Sequence, residues 1–488
     1  MDFMKHLKNE TNYTETTNGA TAYKSTLDEV VDFFGQISSM RYRTSKDKCI
    51  LFENAFAVDR ELAMKTLFYN RDCRGGQGER QTFRDIYIHL VNLDTDVAIV
   101  NIGNIVEFGR WDDLIDIAYK CKNKRFIDNA ILYIESTLNT DLTCKSPISL
   151  LGKWLPSINA SNKETIEKGK WISKKLGYSP KRYRKLLSYL RNRIRIIENN
   201  LREKDYSEIK YEQIPSLAMN KYRNAFYRND EDRFNKYLED VKSGKKEIKA
   251  STLYPYDIVR SYLDENAINN VLEEQWKALP DYLNGAECKS LVVADVSGSM
   301  YGFPITVSIS LALYLCERMK GDYANKFITF HNKPKFIEIN PKQSIYSKIE
   351  KVYRADWGMN TDIQAVFDLI LSTAINNELK QSDLPEQIIV ITDMNFDCGT
   401  FIYNKNKKTL FKNIRDKFKK YGYELPKLIW WNANAMNEVF PMKADENCQY
   451  VSGASPSIMK AVIEGKMLSA IDLVRQAVLT ERYSVIKF

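Results

Sequence analysis

The sequence predicts two kinds of structure in one chain, an all-helical part followed by a doubly wound α/β part. From about 26 to 285, apolar residues recur at spacings of three and four, the period of amphipathic helices. From about 286 onward, short apolar runs of strand length alternate with helical patterns, which is typical of a parallel sheet covered by helices. The expected fold class is therefore α plus α/β.

The helical part begins after a polar segment. Residues 1–25 are rich in Thr and Asn and lack periodicity, so we expect a flexible N-terminal arm. Helices are then expected at 27–40, 52–69 and 79–93, separated by short breaks that contain Gly, Asn or Pro. These patterns predict antiparallel helices over 26–285, stacked as in HEAT-like repeats, although the sequence shows no clean period.

The α/β part, 286–488, is expected to alternate strands and helices in a doubly wound order. In such a sheet the ligand crevice lies beyond the carboxyl ends of the strands. Strands are expected at 288–296, 325–331, 335–339, 387–393, 427–433 and 449–453, and helices at 304–319, 344–354, 362–379, 406–420 and from about 456.

Composition excludes several classes of protein. Lys+Arg 72 against Asp+Glu 63 gives a net charge of +9, which permits anionic partners without requiring them. The sequence has no apolar run of the ~18 residues that span a bilayer, and we see no signal peptide. The eight cysteines are widely spaced without any C-x-x-C, and only three histidines are present. We expect a soluble cytoplasmic protein with reduced thiols, no membrane partner and no His-rich metal site.

A set of oxygen side chains follows the predicted strands. Asp295, Ser297 and Ser299 lie on the turn after the first strand, Thr361 precedes a helix, and Asp393 ends the strand IIVITD. Short oxygen ligands on one loop suit a hard divalent cation such as Mg²⁺. If the α/β prediction is right, all five side chains reach the same edge of the sheet.

These five positions resemble the metal-ion-dependent adhesion site of von Willebrand factor A domains. The resemblance implies that Ser297, Ser299 and Thr361 bind the metal directly, while Asp295 and Asp393 act mainly through water. It also implies that an acidic group from a partner completes the coordination. Asp397 is either a further carboxylate near the rim or a solvated turn residue. An aspartyl-phosphate hydrolase would need a second Asp where this chain has Ser297, which argues against that enzyme.

Two basic segments of the helical part are candidates for contacts with phosphate. The loop RDCRGGQGER (71–80) is not a Walker A motif, because no Gly-Lys-Ser/Thr follows. It is either a helix C-cap whose glycines supply positive φ, or a loop that contacts phosphate through Arg71, Arg74 and Arg80.

The second segment, 163–200, contains twelve Lys or Arg and three Glu, an excess of nine positive charges that equals the net charge of the chain. Interleaved tyrosines make it typical of a nucleic-acid-binding face, although a solvated helix surface with inward tyrosines explains the same pattern. Its candidate RNA contacts are Lys181, Arg182, Arg184, Lys185, Arg191, Arg193 and Arg195.

Longer motifs resemble a known but uncharacterised family. FENAFAVDRELAMKTLFYNRDCRGGQGER (52–80), FGRWDDL (108–114), LLGKWLPS (150–157), YRKLLSYLR (183–191) and AFYRNDEDRF (225–234) are similar to proteins that fuse a TROVE-like helical module to a von Willebrand A domain. That family is related to the Ro autoantigen. The resemblance implies a protein that binds small structured RNA or single-stranded RNA ends. Only the five metal positions correspond residue by residue.

Three functional hypotheses follow. The leading one is a non-enzymatic, RNA-binding ribonucleoprotein with a basic helical module and a metal site in its A domain. The alternative is a metal-dependent protein–protein adaptor, in which a partner supplies a carboxylate to the metal. A metal-dependent nuclease or phosphatase is the third, and the scarcity of histidine argues against it.

Overall fold

A computed structural model describes residues 3–145, 148–194, 197–265, 268–285, 289–353, 358, 360–398, 408–464 and 469–488. These residues form two compact units. The α/β unit comprises the residues through Thr66 together with Leu253–Thr480, and the helical unit comprises Leu67–Thr252 together with Glu481–Phe488. The expected fold class, α plus α/β, is confirmed. No helix in the described part of the chain is long and apolar enough to cross a bilayer.

The N-terminal segment contains regular structure, which corrects the expectation of a flexible arm over 1–25. It forms helix α1 (Phe3–Thr11) and a two-stranded antiparallel sheet of β1 (Tyr13–Glu15) and β2 (Thr21–Tyr23). Tyr23 is fully buried and pairs with Phe440 of the same unit. A polar composition suggested disorder, but many of these polar side chains form hydrogen bonds within the unit. For example, the Asn12 side chain bonds the backbone N–H and carbonyl of Ser25.

Three further helices precede the helical unit or lead into it. They are α2 (Glu29–Phe34), α3 (Ser45–Val58) and α4 (Arg60–Arg71). The single helix expected at 52–69 is therefore wrong. The break is at Asp59, whose backbone is extended at φ −147° and whose carboxylate caps α4 by accepting from the N–H of Leu62 at 2.9 Å.

The helical unit contains eleven helices that lie wholly within its described residues. Its core is aromatic: Phe68, Phe83 and Tyr87 are fully buried, with ring centroids 5.3–5.5 Å apart between successive neighbours. The helices are α5 (Gln81–Leu93), α6 (Thr95–Val100), α7 (Ile102–Phe108), α8 (Trp111–Lys120), α9 (Lys124–Thr143), α10 (Leu151–Trp154), α11 (Lys163–Lys175), α12 (Pro180–Ile194), α13 (Ile197–Glu203), α14 (Ser216–Asn229) and α15 (Glu231–Lys242).

The α/β unit continues with alternating strands and helices. Its elements are α16 (Pro255–Glu265), α17 (Asn270–Lys277), β3 (Ser290–Asp295), α18 (Phe303–Arg318), β4 (Lys326–Phe330), β5 (Lys335–Glu338), α19 (Ile345–Tyr353), α20 (Ile363–Asn376), β6 (Gln387–Thr392), α21 (Leu410–Lys420), β7 (Lys427–Asn432), β8 (Cys448–Ser452), α22 (Met459–Glu464) and α23 (Ala470–Val478).

The six-stranded sheet has the order β5-β4-β3-β6-β7-β8. Only β5 is antiparallel to its neighbour. Strands β6 and β7 are buried along their whole length, as expected when helices cover both faces of a parallel sheet. The chain leaves β3 toward β4 and returns on the other side to β6, so the strand order reverses between β3 and β6. A reversal of this kind opens a crevice at the carboxyl ends of the two strands.

The units do not follow the expected boundaries at 26, 285 and 286. Helix α2 packs against β8 and α23, and α16 packs against α18, so residues on both sides of the helical segment belong with the sheet. The last residues belong with the helical unit, where buried Asp72 accepts hydrogen bonds from Arg482 and from the Tyr483 hydroxyl. These contacts between distant segments cannot be read from the order of helical and strand patterns.

Candidate metal site and basic helical surface

The five expected metal ligands lie at the crevice between β3 and β6. Asp295 is the last residue of β3, and Asp393 directly follows β6. Thr361 lies just before α20, in the segment whose Asp362 caps that helix. Asp295, Ser297, Thr361 and Asp393 are buried, while Ser299 is exposed. The structure thus places all five side chains at the strand reversal of the sheet.

Hydrogen bonds fix the first loop of this site. Asp295 Oδ1 accepts from the backbone N–H of Ser297 at 2.9 Å, and Asp295 Oδ2 accepts from the Thr392 hydroxyl at 2.6 Å. The hydroxyl oxygens of Ser297 and Ser299 are 3.1 Å apart. Because Asp295 is held by these neighbours, the two serine hydroxyls lie side by side at the start of the turn.

The two carboxylates of the site are buried together. Burial raises the pKa of Asp295, and the nearby charge of Asp393 raises it further, to about 7. Burial also raises the pKa of Asp393, although hydrogen bonds from Asn395 and Ser299 oppose that shift. Neither carboxylate forms an ion pair with a Lys or Arg in the described part of the chain. Two buried carboxylates without a counter-charge favour a bound cation, which would let both ionise.

The donor set fits a hard divalent cation. It offers carboxylate and hydroxyl oxygens only, from three separate loops, and contains no sulfur or imidazole. The described residues contain no group of three or more His, Cys, Asp or Glu side chains that could hold a metal, at this site or at another, so the serine and threonine hydroxyls would have to complete the coordination here. A magnesium site built on Asp295, Ser297, Ser299, Thr361 and Asp393 remains a prediction that is compatible with this geometry.

Sequence reasoning missed part of the rim of this site. Asn18, from the turn between β1 and β2, has its amide nitrogen 2.8 Å from the carbonyl oxygen of Asn395 and 3.5 Å from the Thr361 hydroxyl. Asp397 accepts from the backbone N–H of Thr361 at 2.8 Å, so it holds the Thr361 loop. Asp397 was a visible candidate in the sequence, whereas Asn18 gave no signal because 343 positions separate it from Thr361.

In the helical unit, α11 and α12 pack against each other and carry a basic surface. We define this basic surface by eight exposed side chains. None of them forms an ion pair with a carboxylate of the described residues. The eight are Lys163, Lys170, Lys174, Lys175, Lys181, Arg182, Arg184 and Lys185.

The tyrosines of this segment divide between the core and the surface. Tyr183 is fully buried and donates its hydroxyl to the carbonyl oxygen of Pro156 at 3.0 Å. Tyr189 is half exposed, and the guanidinium of Arg193 lies 5.7 Å from its ring centroid. Tyr183 therefore packs inward, as expected for a solvated helix surface, whereas Tyr189 is available to a ligand.

Several of the candidate phosphate contacts have internal partners. Arg71 is buried and pairs with Asp113, its Nε donating to Asp113 Oδ2 at 2.8 Å, so we remove it from the candidate contacts. Arg193 donates to the carbonyl oxygens of Asp141 and Lys145, where α9 ends, which makes it a helix cap. Arg195 lies outside the described residues.

The glycine-containing loop has a structural explanation. A side chain at Gly76 would overlap the carbonyl oxygen of Tyr69, and Gly78 has φ 67°. Arg74 and Arg80 are about half exposed, and they lie 4.0 Å from Glu107 and 3.6 Å from Asp112, respectively. These two exposed arginines with weak ion pairs remain candidate contacts with RNA.

Comparisons with known proteins give the family. A family model described as a domain of unknown function (DUF2828) matches residues 16–135 and 161–286, half of the chain. The chain belongs to this family. A second model, also a domain of unknown function (DUF7788), matches residues 289–482 of this DUF2828 protein. Neither description names an activity.

The chain is also similar to a viral protein and to a solved bacterial structure. An uncharacterized protein of Acanthamoeba polyphaga mimivirus is 29% identical over 503 residues, which cover 95% of this chain and 86% of the viral protein. The crystal structure of the Ro (RSR) protein of Deinococcus radiodurans is similar at a TM-score of 0.40 and 14% identity. That match covers 83% of this chain and 100% of the Deinococcus chain.

Proposed function

We propose that this DUF2828 protein is a non-enzymatic RNA-binding protein whose helical unit binds RNA through the basic surface on α11 and α12. The observation that carries this proposal is the set of eight exposed, unpaired cations on two adjacent helices. Like charges in one patch repel each other, and a bound polyanion relieves that repulsion. The counterions that the polyanion releases on binding favour the complex further.

The arrangement of these cations favours a phosphate backbone over a small anion. On α12, Lys181, Arg184 and Lys185 have the i, i+3, i+4 spacing that places side chains on one helix face. On α11, Lys163, Lys170 and Lys174 repeat at intervals of seven and four residues, which is also one face. Two basic stripes of this length suit several successive phosphates.

An exposed aromatic ring supports single-stranded RNA as the ligand. Tyr189 follows the basic stripe of α12 by one turn and is half exposed. Aromatic side chains beside basic grooves stack on unpaired bases, and such stacking tolerates any sequence. The helical unit therefore has the two chemical features that single strands require.

The α/β unit supplies the metal site of the proposal, in the manner of a von Willebrand A domain. Asp295, Ser297, Ser299, Thr361 and Asp393 would hold Mg²⁺, which would neutralise the two buried carboxylates. The exposed hydroxyl of Ser299 leaves one side of the site reachable, so a carboxylate from a protein partner is a second ligand that the site supports. The five donors include no histidine and no cysteine, the commonest catalytic base and a strong nucleophile, which supports a binding role over catalysis. The seven described cysteines are free, in keeping with a cytoplasmic location.

Photo-crosslinking tests where RNA binds. The full-length protein would be irradiated with a single-stranded RNA that contains 4-thiouridine, digested, and the crosslinked peptides identified by mass spectrometry. We expect crosslinks within 163–191, and competition by polyuridylate. Crosslinks confined to peptides of the α/β unit, or the absence of any crosslink at low salt, would refute the proposed surface.

A further inference from the structure

The helical unit contains a cavity of about 310 Å³ that neither the metal site nor the basic surface uses. Its walls come from α5, α8, the segment around α10, α11 and α12. A volume of this order is at the lower end of the range for small-ligand sites and is sufficient for one nucleotide. Polar residues on its walls include Lys153, Trp154, Ser157, Arg191, Asp112 and Asp116.

Arg191 is the main reason to expect an anion in this cavity. Its Nε donates to the carbonyl oxygen of Gly152 at 3.1 Å, and its two Nη atoms donate to Ser157 Oγ and the Leu155 carbonyl oxygen, each at 2.8 Å. All three acceptors are neutral, and no carboxylate among the described residues pairs with Arg191. Burial lowers the pKa of Arg191, because its charge is only partly solvated.

A guanidinium has five N–H donors. Three of the donors of Arg191 form the hydrogen bonds to Gly152, Ser157 and Leu155 that hold the side chain in place. Two donors therefore remain for a ligand on a side chain whose position is fixed. A planar pair of N–H groups matches the oxygens of a phosphate.

Lys153 adds a second positive charge to the same cavity. Its ammonium is partly exposed, and the nearest carboxylate, that of Glu198, is 3.9 Å away. The carboxylates on the cavity wall do not repel an anion strongly, because cations already pair with them. Arg84 donates to Asp112 at 3.0 Å, and Lys168 donates to Asp116.

Trp154 gives the cavity a flat aromatic wall. The guanidinium of Arg110 lies 4.3 Å from the ring centroid, which holds the indole in one orientation. A fixed indole is a stacking platform for a nucleobase, and the carboxylates of Asp112 and Asp116 offer acceptors for hydroxyl or amino groups. The cavity thus suits a ligand that has an anionic group, a flat ring and hydrogen-bond donors, and a nucleoside phosphate has all three.

We propose that this cavity binds the phosphorylated terminal nucleotide of an RNA strand that lies along α12, an inference that rests on the proposed RNA binding. Arg184 precedes Arg191 by seven residues, so the two lie on the same side of the helix, about 10 Å apart along its axis. A strand held by the basic surface thus has its end within reach of the cavity. The terminal phosphate contacts Arg191 and Lys153, and the terminal base stacks on Trp154.

The test compares two single-stranded RNAs of one sequence that differ only in a terminal phosphate, with the 5′ and 3′ ends examined in turn. With full-length protein, we expect the phosphorylated RNA to bind roughly tenfold more tightly at one of the two ends, the effect of a charge-assisted hydrogen-bonded contact. Lys153→Gln should reduce that preference to near unity, because it removes one of the two positive charges that contact the terminal phosphate, and the only ion pair that Lys153 has to lose among the described residues is a 3.9 Å contact with Glu198. It should lower the affinity for hydroxyl-ended RNA by much less than the affinity for phosphorylated RNA. Lys236→Gln, at an exposed position of α15, is the matched control.

Arg191→Gln and Trp154→Leu extend the test, with thermal unfolding used to confirm that each variant folds. Equal binding of both RNAs by the wild-type protein would overturn the cavity assignment and leave RNA binding intact. Binding of adenosine 5′-monophosphate without binding of either RNA would overturn the RNA end as the ligand and identify a free nucleotide instead. Failure of all three probes to bind would overturn both the cavity and the proposed function.

Discussion

Replacing Lys181, Arg184 and Lys185 together by glutamine should weaken the salt dependence of RNA binding. Each phosphate contact to a single strand contributes about 0.7 to the slope of log affinity against log salt. If all three side chains contact phosphate, the slope becomes shallower by about 2, since three such contributions are lost. Over a tenfold range of salt, the wild-type protein then loses roughly 100-fold more affinity than the variant does.

The substitutions should have little effect on stability. The three side chains are exposed and lack ion pairs in the described part of the chain, so the free energy of unfolding should change by less than about 0.5 kcal/mol. A variant with Lys236, Lys245 and Lys249 replaced by glutamine removes the same charge from another part of the helical unit. It serves as the matched control for net charge.

Filter binding at salt concentrations between about 50 and 200 mM would measure the slopes of all three proteins, a range over which several phosphate contacts change affinity greatly. We expect the control to keep the wild-type slope. A variant slope parallel to that of the wild type would show that α12 does not bind the phosphate backbone. An equal loss in the control would show that binding depends on net charge alone.

Three further predictions concern the metal site and stability. Mg²⁺ at about 100 times its Kd should stabilise the α/β unit by about 2.7 kcal/mol, seen as a higher Tm, and Asp393→Asn should abolish this shift. Burial raises the pKa of Asp32 to about 7, so the folded protein keeps a proton that the unfolded chain releases above pH ~4. Stability in urea should therefore fall as the pH rises from about 4 to 7, and Asp32→Asn should flatten that fall. Asp72→Ala leaves Arg482 and the Tyr483 hydroxyl without their buried acceptor, so it should lower the free energy of unfolding by about 2 kcal/mol, measured in urea.

Each of these has a distinct contradicting result. If Mg²⁺ raises the Tm of Asp393→Asn as much as that of the wild-type protein, the metal binds elsewhere. Asp445→Asn, at an exposed position outside the site, is the control and should keep the full Tm increase. An unchanged pH profile in Asp32→Asn would show that Asp32 is ionised in the folded state. A loss below about 0.5 kcal/mol in Asp72→Ala, the size of an ordinary surface effect, would show that the C-terminal residues do not depend on Asp72.

The strands of the α/β unit could be predicted within about two residues. Runs such as IIVIT in β6 are continuous and rich in β-branched residues, which is what a strand buried on both faces requires. The metal candidates followed from the same pattern, because parallel strands bring their carboxyl ends to one edge. That argument needs only local sequence, so it placed Asp295 and Asp393 correctly at the ends of β3 and β6.

The sequence did not predict features that depend on distant contacts. Thr16 donates its hydroxyl to the carbonyl oxygen of Phe396, 380 positions away, so no local pattern showed that the N-terminal segment belongs with the sheet. Arg71 and Arg191 looked like surface cations because each lies in a segment with several other Lys or Arg residues. Arg71 is buried against Asp113, and Arg191 is half-buried against the carbonyls of 152–155, and these partners lie in other parts of the chain.

The most direct test of RNA binding by the helical unit is a titration of the wild-type protein with a single-stranded RNA across a salt series, with Mg²⁺ or EDTA at each point. We predict tight binding at low salt, a steep and linear decrease of log affinity with log salt, and no effect of EDTA, because the basic surface of α11 and α12 contains no metal ligand set. Absence of binding at low salt, or binding that EDTA abolishes, would contradict the proposal.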